Sequence, residues 1–251
     1  MCKLVFKIWL IISGLSYSLI IKAEEMTKSP PLVTEVEFGY QAYSGNSDSN
    51  SMNARIGAEY KRGRYRSKGE LKYFMVYKDG VEDKRQSIID AQTDYKIGAK
   101  NYTYGSYKRI DSKYSAYFKN CTLSVGLGYQ FAYTKDFVFE LEGGPGYRYQ
   151  KPNTDKIGKK DIIFPETVEE MILRGKVKTS WQALSNFALS ADVTVVSGKS
   201  NTQMDTDLSA INNISESIAL KLSHNSQFYN RVPEGLSQRD SIFSINLLFV
   251  F

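Results

Sequence analysis

His224 and Ser226 are the residues whose types come nearest to covalent chemistry. An imidazole and a hydroxyl two positions apart share one face of an extended segment, and a base within reach of a hydroxyl is the first requirement of an activated nucleophile. Such a base also needs a third group to orient it. Asn212 would lie toward the other end of its strand and Asn246 on the opposite face, so the triad is incomplete. Two carboxylate pairs repeat the same spacing, Glu140 with Glu142 and Asp205 with Asp207, a pattern that suits acid–base work. Basic residues are abundant on the facing segments, which makes ion pairing the expected role. The run Gly143-Gly144-Pro145-Gly146 lacks the lysine and helix that follow a phosphate loop and reads as a kink or a close strand approach. No catalytic set, cofactor site or metal site is expected.

The elements that carry these residues alternate with a period of two. Thr34, Val36, Phe38 and Tyr40 oppose Glu35, Glu37, Gly39 and Gln41; Leu123, Val125, Leu127, Tyr129 and Phe131 oppose Thr122, Ser124, Gly126, Gly128 and Gln130. Twelve such segments can be marked. The fifth, near Tyr102 to Asp111, alternates poorly and is expected to hold a bulge. One face of the set is apolar and aromatic. The other gathers Glu35, Glu37, Glu59, Glu70, Asp90, Asp94, Glu140, Glu142, Asp192, Asp205 and Asp207 with Arg55, Arg66, Lys68, Lys72, Lys96, Arg148, Arg174, Lys176, Lys178 and Lys221. These residues are expected to line a lumen.

The connections alternate as well. Tight turns are expected near Lys61 to Arg64, Lys100 to Asn101, Thr134 to Asp136, Ser185 to Asn186 and Ser215 to Glu216. Longer polar loops are expected at Gly45 to Asn50, Asp79 to Arg85, Asp111 to Asn120, Gln150 to Glu169, Gly198 to Asn201 and Asn230 to Arg239. Short turns on one side and long loops on the other are the asymmetry of transmembrane barrels, with the turns in the periplasm. Aromatics flank the short turns, among them Tyr60, Tyr65, Tyr95, Tyr102, Tyr129, Phe131, Phe137, Trp181 and Phe187, and read as an outward girdle. A soluble sandwich also alternates, but neither the asymmetry nor the girdle follows from it. The last strand, Ser241 to Phe251, presents Phe243, Ile245, Leu247, Phe249 and Phe251 outward. Phe249 and Phe251 are expected to be the signal read by the barrel-assembly machinery.

At the other end, Lys3 and Lys7 precede an uncharged stretch from Ile8 to Ile21, the layout of a signal peptide with cleavage expected after Ala23. Its apolar core of about fourteen residues is shorter than the roughly twenty of a spanning helix. Removing three lysines with residues 1–23 lowers the net charge from +6 to about +3, so most of the apparent basicity is targeting signal and no nucleic-acid surface is expected. Residues 24–31 are expected as a short periplasmic segment and 32–251 as a single all-β, antiparallel, up-and-down transmembrane barrel of twelve strands. The expected location is the bacterial outer membrane, amid its lipid and lipopolysaccharide.

Three stretches resemble one bacterial family: Ser44 to Ser51 between the first two strands, Gly143 to Tyr149, and the C-terminal strand after the loop containing Pro233. Together they resemble the salt-induced outer-membrane proteins, a YdiY-like domain of unknown function designated DUF481. The resemblance implies a Gram-negative outer-membrane barrel and brings no catalytic or binding residues. His224 and Ser226 are separately similar to the histidine and serine of outer-membrane phospholipases, which are also twelve-stranded.

The expected role is structural or related to envelope stress, with a polar lumen largely plugged by its own charges. A porin-like channel for small solutes is the alternative, and a lipid hydrolase using His224 and Ser226 a further one. Lys156, Lys159 and Lys160, ahead of Ile162-Ile163-Phe164, could bind lipopolysaccharide phosphates, or their loop could fold inward as a plug.

Overall fold

The computed structural model describes residues 31–43, 49–113, 115–158, 161–163 and 165–251. The expected signal peptide lies outside the described residues, as do Lys159, Lys160, Phe164 and most of the Ser44 to Ser51 stretch. Twelve strands follow in order: β1 Leu32–Tyr43, β2 Ser49–Arg62, β3 Tyr65–Lys78, β4 Val81–Lys96, β5 Asn101–Ser112, β6 Tyr117–Tyr133, β7 Phe137–Pro152, β8 Val168–Leu184, β9 Phe187–Ser197, β10 Thr202–Asn213, β11 Ile218–Tyr229 and β12 Arg239–Val250. Each pairs antiparallel with its neighbours in sequence, and β12 returns to β1, closing a barrel that leaves no free edge along the lower wall.

Alternation decides which way each side chain points. Leu127 is 64% exposed, Leu173 69% and Phe243 60%, all on the outer face. An apolar wall this open to its surroundings is stable when those surroundings are hydrocarbon. Near the short turns the outward aromatics pack in tilted and T-shaped pairs: Tyr65 meets Tyr95 with ring centroids 4.9 Å apart, and Phe131 bridges Tyr129 at 4.8 Å and Phe139 at 5.3 Å. Strands of up to 17 residues, in β6 and β8, exceed the roughly 9–11 needed to cross a bilayer. Their upper ends therefore stand clear of the membrane.

The turns follow local chemistry. Thr134 Oγ1 accepts the Phe137 N–H at 2.9 Å and donates to the Phe137 carbonyl at 3.0 Å, closing the β6–β7 turn. Ser215 Oγ accepts the Ile218 N–H at 3.1 Å before β11.

Three expectations are corrected. The Asp79 to Arg85 connection is a two-residue turn, with Asp79 (φ 49°) and Gly80 (φ 76°) both left-handed and Val81 onward already in β4. That is the geometry of a tight hairpin, which Asp-Gly favours, and the strongly polar sequence after it disguised a strand outside the membrane. β5 contains no bulge; its register with β4 and β6 is continuous. Irregularities fall instead at Val76/Tyr77, Tyr117/Lys119, Gln130/Ala132 and Gln182/Leu184. Tyr102 is not part of the outward girdle. It points inward and is almost fully buried, because β5 carries aromatics on both faces and its polar side is not visibly polar.

Candidate functional site in the charged lumen

The space reserved for Tyr102 is made by glycine. A Cβ on Gly128, its partner across the β5–β6 ladder, would stand 2.2 Å from the tyrosine ring. Alongside, a Cβ on Gly126 would meet the Gly143 carbonyl oxygen at 2.3 Å, and one on Gly144 the Val125 carbonyl oxygen at 2.1 Å. The Gly-Gly-Pro-Gly run is thus a tight corner of the wall, where β6 and β7 approach too closely for inward side chains. Tyr102 fills the room so gained and donates to Glu142 at 3.0 Å.

Below that corner, Arg66 on β3 spans the barrel. Its Nε donates to Asp94 at 2.7 Å and its terminal nitrogens to both oxygens of Glu140 on β7, at 2.8 and 3.1 Å. Glu140 is 1% exposed and takes a further bond from Gln130 at 2.6 Å. Lys96 stands at the mouth with its ammonium 5.5 Å from the centre of the Tyr133 ring. Glu59 holds Lys61 and Lys68 at 3.2 and 3.1 Å.

In the middle of the lumen Arg55 carries three carboxylates, Glu35 at 2.7 Å, Glu37 at 2.6 Å and Glu70 at 2.8 Å. Lys221 also reaches Glu37, at 2.6 Å. Lys72 joins Glu70 at 3.0 Å to Asp207 on the far wall at 3.5 Å. Arg174 holds Glu142 at 2.8 Å and Lys176 holds Asp192 at 3.1 Å. Higher up, Lys108 on β5 bonds Asp205 on β10 at 2.7 Å, and Asn120 on β6 donates to Gln203 on β10 at 2.6 Å.

The extracellular side carries a cap. Tyr117 of β6 and Tyr229 of β11 meet with centroids 5.2 Å apart, and Ile163 from the longest loop packs with them and Ala116. Arg148, fully buried, pairs with Glu170 and donates to the Asn201 carbonyl at 2.8 Å. Asn201 in turn donates to Gln150 at 2.9 Å and to the Tyr117 hydroxyl at 2.7 Å. This loop folds inward through Ile163, while Ile162 stays exposed.

Between cap and mouth lies a cavity of about 530 Å³. Of the charged residues read from the inward face, Lys96 and Arg148 lie beyond it, at the mouth and under the cap; the others line it, Asp90 and Lys178 among them. The lining holds eleven carboxylates and ten cationic side chains, so its charges nearly cancel. Lys108 belongs to this set and was missed because β5 showed no clear polar face. The signal lay in its partner strand, whose glycines at 126 and 128 face Tyr104 and Tyr102.

His224 is elsewhere. It faces outward on β11, in register with Leu208 on one side and Phe243 on the other, while Ser226 lies between Thr206 and Ser241. Among the described residues no carboxylate or amide bonds to either side chain.

Residues 36–251 match the family described as "Protein of unknown function, DUF481". The chain belongs to the DUF481 family. No curated protein matches this DUF481 chain. Among solved structures it is similar to the COG4313 outer membrane channel from Pseudomonas putida F1, with 11% identity and a TM-score of 0.51, covering 92% of this chain and all of that one. It is also similar to the NanC porin, at 10% identity and a TM-score of 0.47 over 86% and 97% of the two chains, and to the KdgM porin, at 9% and 0.43 over 88% and 99%. At these identities the likeness is one of fold: this DUF481 chain is an outer-membrane-type β-barrel.

Proposed function

We propose that this DUF481 protein is a braced envelope barrel whose lumen is closed at rest, with a structural or envelope-stress role rather than that of a permanently open porin. The observation that carries the reading is the set of side chains that meet across the lumen, Arg66 with Glu140, Lys72 with Asp207 and Lys108 with Asp205. Charges removed from bulk water stay charged when they are matched, and matched pairs spanning a lumen occupy the path an ion would follow. On this reading the signal peptide at residues 1–23 delivers the chain to the periplasm, the assembly machinery recognises the closing strand, and outer-membrane lipid and lipopolysaccharide surround the product.

Purified protein in planar bilayers tests the proposal. No sustained stepwise conductance is expected at moderate voltage; long-lived steps in the unmodified protein would overturn it. A small-solute channel is the second reading, favoured by the charge-balanced cavity, and requires the bridges to part during passage. A lipid hydrolase is disfavoured by the apolar neighbours of His224. Phospholipid hydrolysis that His224→Ala abolishes would reinstate it.

A further inference from the structure

The ladder that closes the barrel is short. β1 and β12 are in register from Glu35↔Val250 to Phe38↔Leu247, and Thr34 and Phe251 exchange two more backbone bonds at 3.0 and 2.9 Å. Among the described residues, β1 above Phe38 pairs with β2 alone, and residues 239–246 of β12 pair with β11 alone. Thr34 and Phe251 form a hydrogen-bonded pair, so the alternation of an antiparallel ladder turns the N–H groups of Tyr40, Ala42, Phe243 and Ile245 toward this gap.

Gly39 stands at the lower end of the gap. Asn246 Oδ1 leans to within 2.3 Å of where a Cβ on Gly39 would be, and Asn53 Oδ1 to within 2.6 Å. Asn246 is 6% exposed, and its amide nitrogen donates to Glu37 at 3.3 Å. Its oxygen and that of Asn53 are buried and accept no hydrogen bond among the described residues. Both residues line the polar cavity, so their donors come from lumen water or from a ligand hydroxyl that displaces it.

The two sides of the gap differ in kind. Phe38, Tyr40, Phe243 and Ile245 flank it on the outer, exposed face, whereas Asn246 and Ser244 line the cavity within. The nearest charges are matched, since Arg55 and Lys221 already hold Glu37. We propose that the gap is a lateral binding slot for a single-chain amphiphile with an uncharged, hydroxylated head. The chain lies in the bilayer along the outer apolar side chains. The hydroxyls donate to the two amide oxygens, and head-group oxygens accept from the open backbone N–H groups. A head that ends in an ionised phosphate or carboxylate brings acceptors alone and no donor for the amide oxygens. A strand from a second copy would satisfy the backbone edges without meeting the buried amides.

The test uses the whole protein in phosphatidylcholine–phosphatidylglycerol vesicles carrying a diazirine-bearing monoacylglycerol, with adducts mapped by mass spectrometry after illumination. Adducts are expected to concentrate several-fold on residues 38–43 and 241–246 relative to other lipid-facing strands. Extending the register by three residues would set Gln41 opposite Ser244 at a non-hydrogen-bonded position, so a disulfide between them would draw the gap shut. Oxidised Gln41→Cys/Ser244→Cys protein should lose the enrichment and regain it on reduction. Even labelling around the barrel, indifference to the disulfide, or a seam-linked dimer in place of lipid adducts would each overturn the slot. Amide exchange checks the gap itself: Tyr40 and Ile245 should exchange about ten-fold faster than Val36 and Leu247, and equal protection would mean a complete ladder and no slot.

Discussion

Arg66 of β3 grips both carboxylate oxygens of Glu140 on β7, 74 residues later in the chain and on another wall of the barrel. Planar guanidinium and carboxylate meet in a geometry lysine cannot copy. The pair is a rivet between distant strands.

Arg66→Ala is therefore expected to leave an uncompensated buried carboxylate at Glu140 and to destabilise the barrel by on the order of 3 kcal/mol. The midpoint of heat-modifiable mobility on gels should fall clearly, and Arg66→Met with Glu140→Gln should recover part of the loss. An unchanged midpoint in the single variant would show that the rivet carries little load.

Lys108 and Asp205 bridge the upper lumen at 2.7 Å. The double variant Lys108→Ala/Asp205→Ala removes the charges and bulk of the bridge together, and Asp90, which faces Lys108 across the β4–β5 ladder, is left to Lys72 and Lys176. Planar bilayers should then show conductance steps that the unmodified protein lacks. Silence in both proteins would place the main obstruction at the Arg66 level or at the cap.

Gly128→Ala would thrust a methyl group into the Tyr102 ring, a clash with a cost of about 1–3 kcal/mol. The thermal midpoint should drop, and Tyr102→Ala in the same chain should relieve part of the clash. If Gly128→Ala is neutral, the ring has somewhere else to go and the corner is looser than the contacts indicate.

Phe251 is exposed on the outer face while its backbone is bonded to Thr34. Phe251→Ala leaves those bonds possible and removes the aromatic end, so the expected effect is on delivery: less heat-modifiable protein in outer-membrane fractions. Normal amounts would separate this side chain from assembly.

What the sequence revealed and what it concealed have a common cause. Where a strand is apolar outside and charged inside, as with Glu140 and Glu142 against Phe139 and Leu141, a period of two determines both the wall and the direction of each side chain. β5 breaks the rule by placing Tyr102 and Tyr104 within, so neither Lys108 nor the direction of Tyr102 could be read. Asp79-Gly80 hid for another reason: strand outside the bilayer needs no apolar face, and Val81 to Arg85 therefore resembled a loop. Partnerships were the least visible, because whether Lys72 meets Asp207 depends on barrel diameter and tilt, which no single strand encodes.

The glycine corner between β6 and β7 lies half a circuit from the β1–β12 seam, six strands away by either route. A ring fastened by a short joint flexes most at the point opposite the joint. Here that point is a crease whose inward positions at Gly126, Gly144 and Gly146 carry no side chains to interlock. The closing seam and the glycine corner thus divide the wall into two arcs of six strands each.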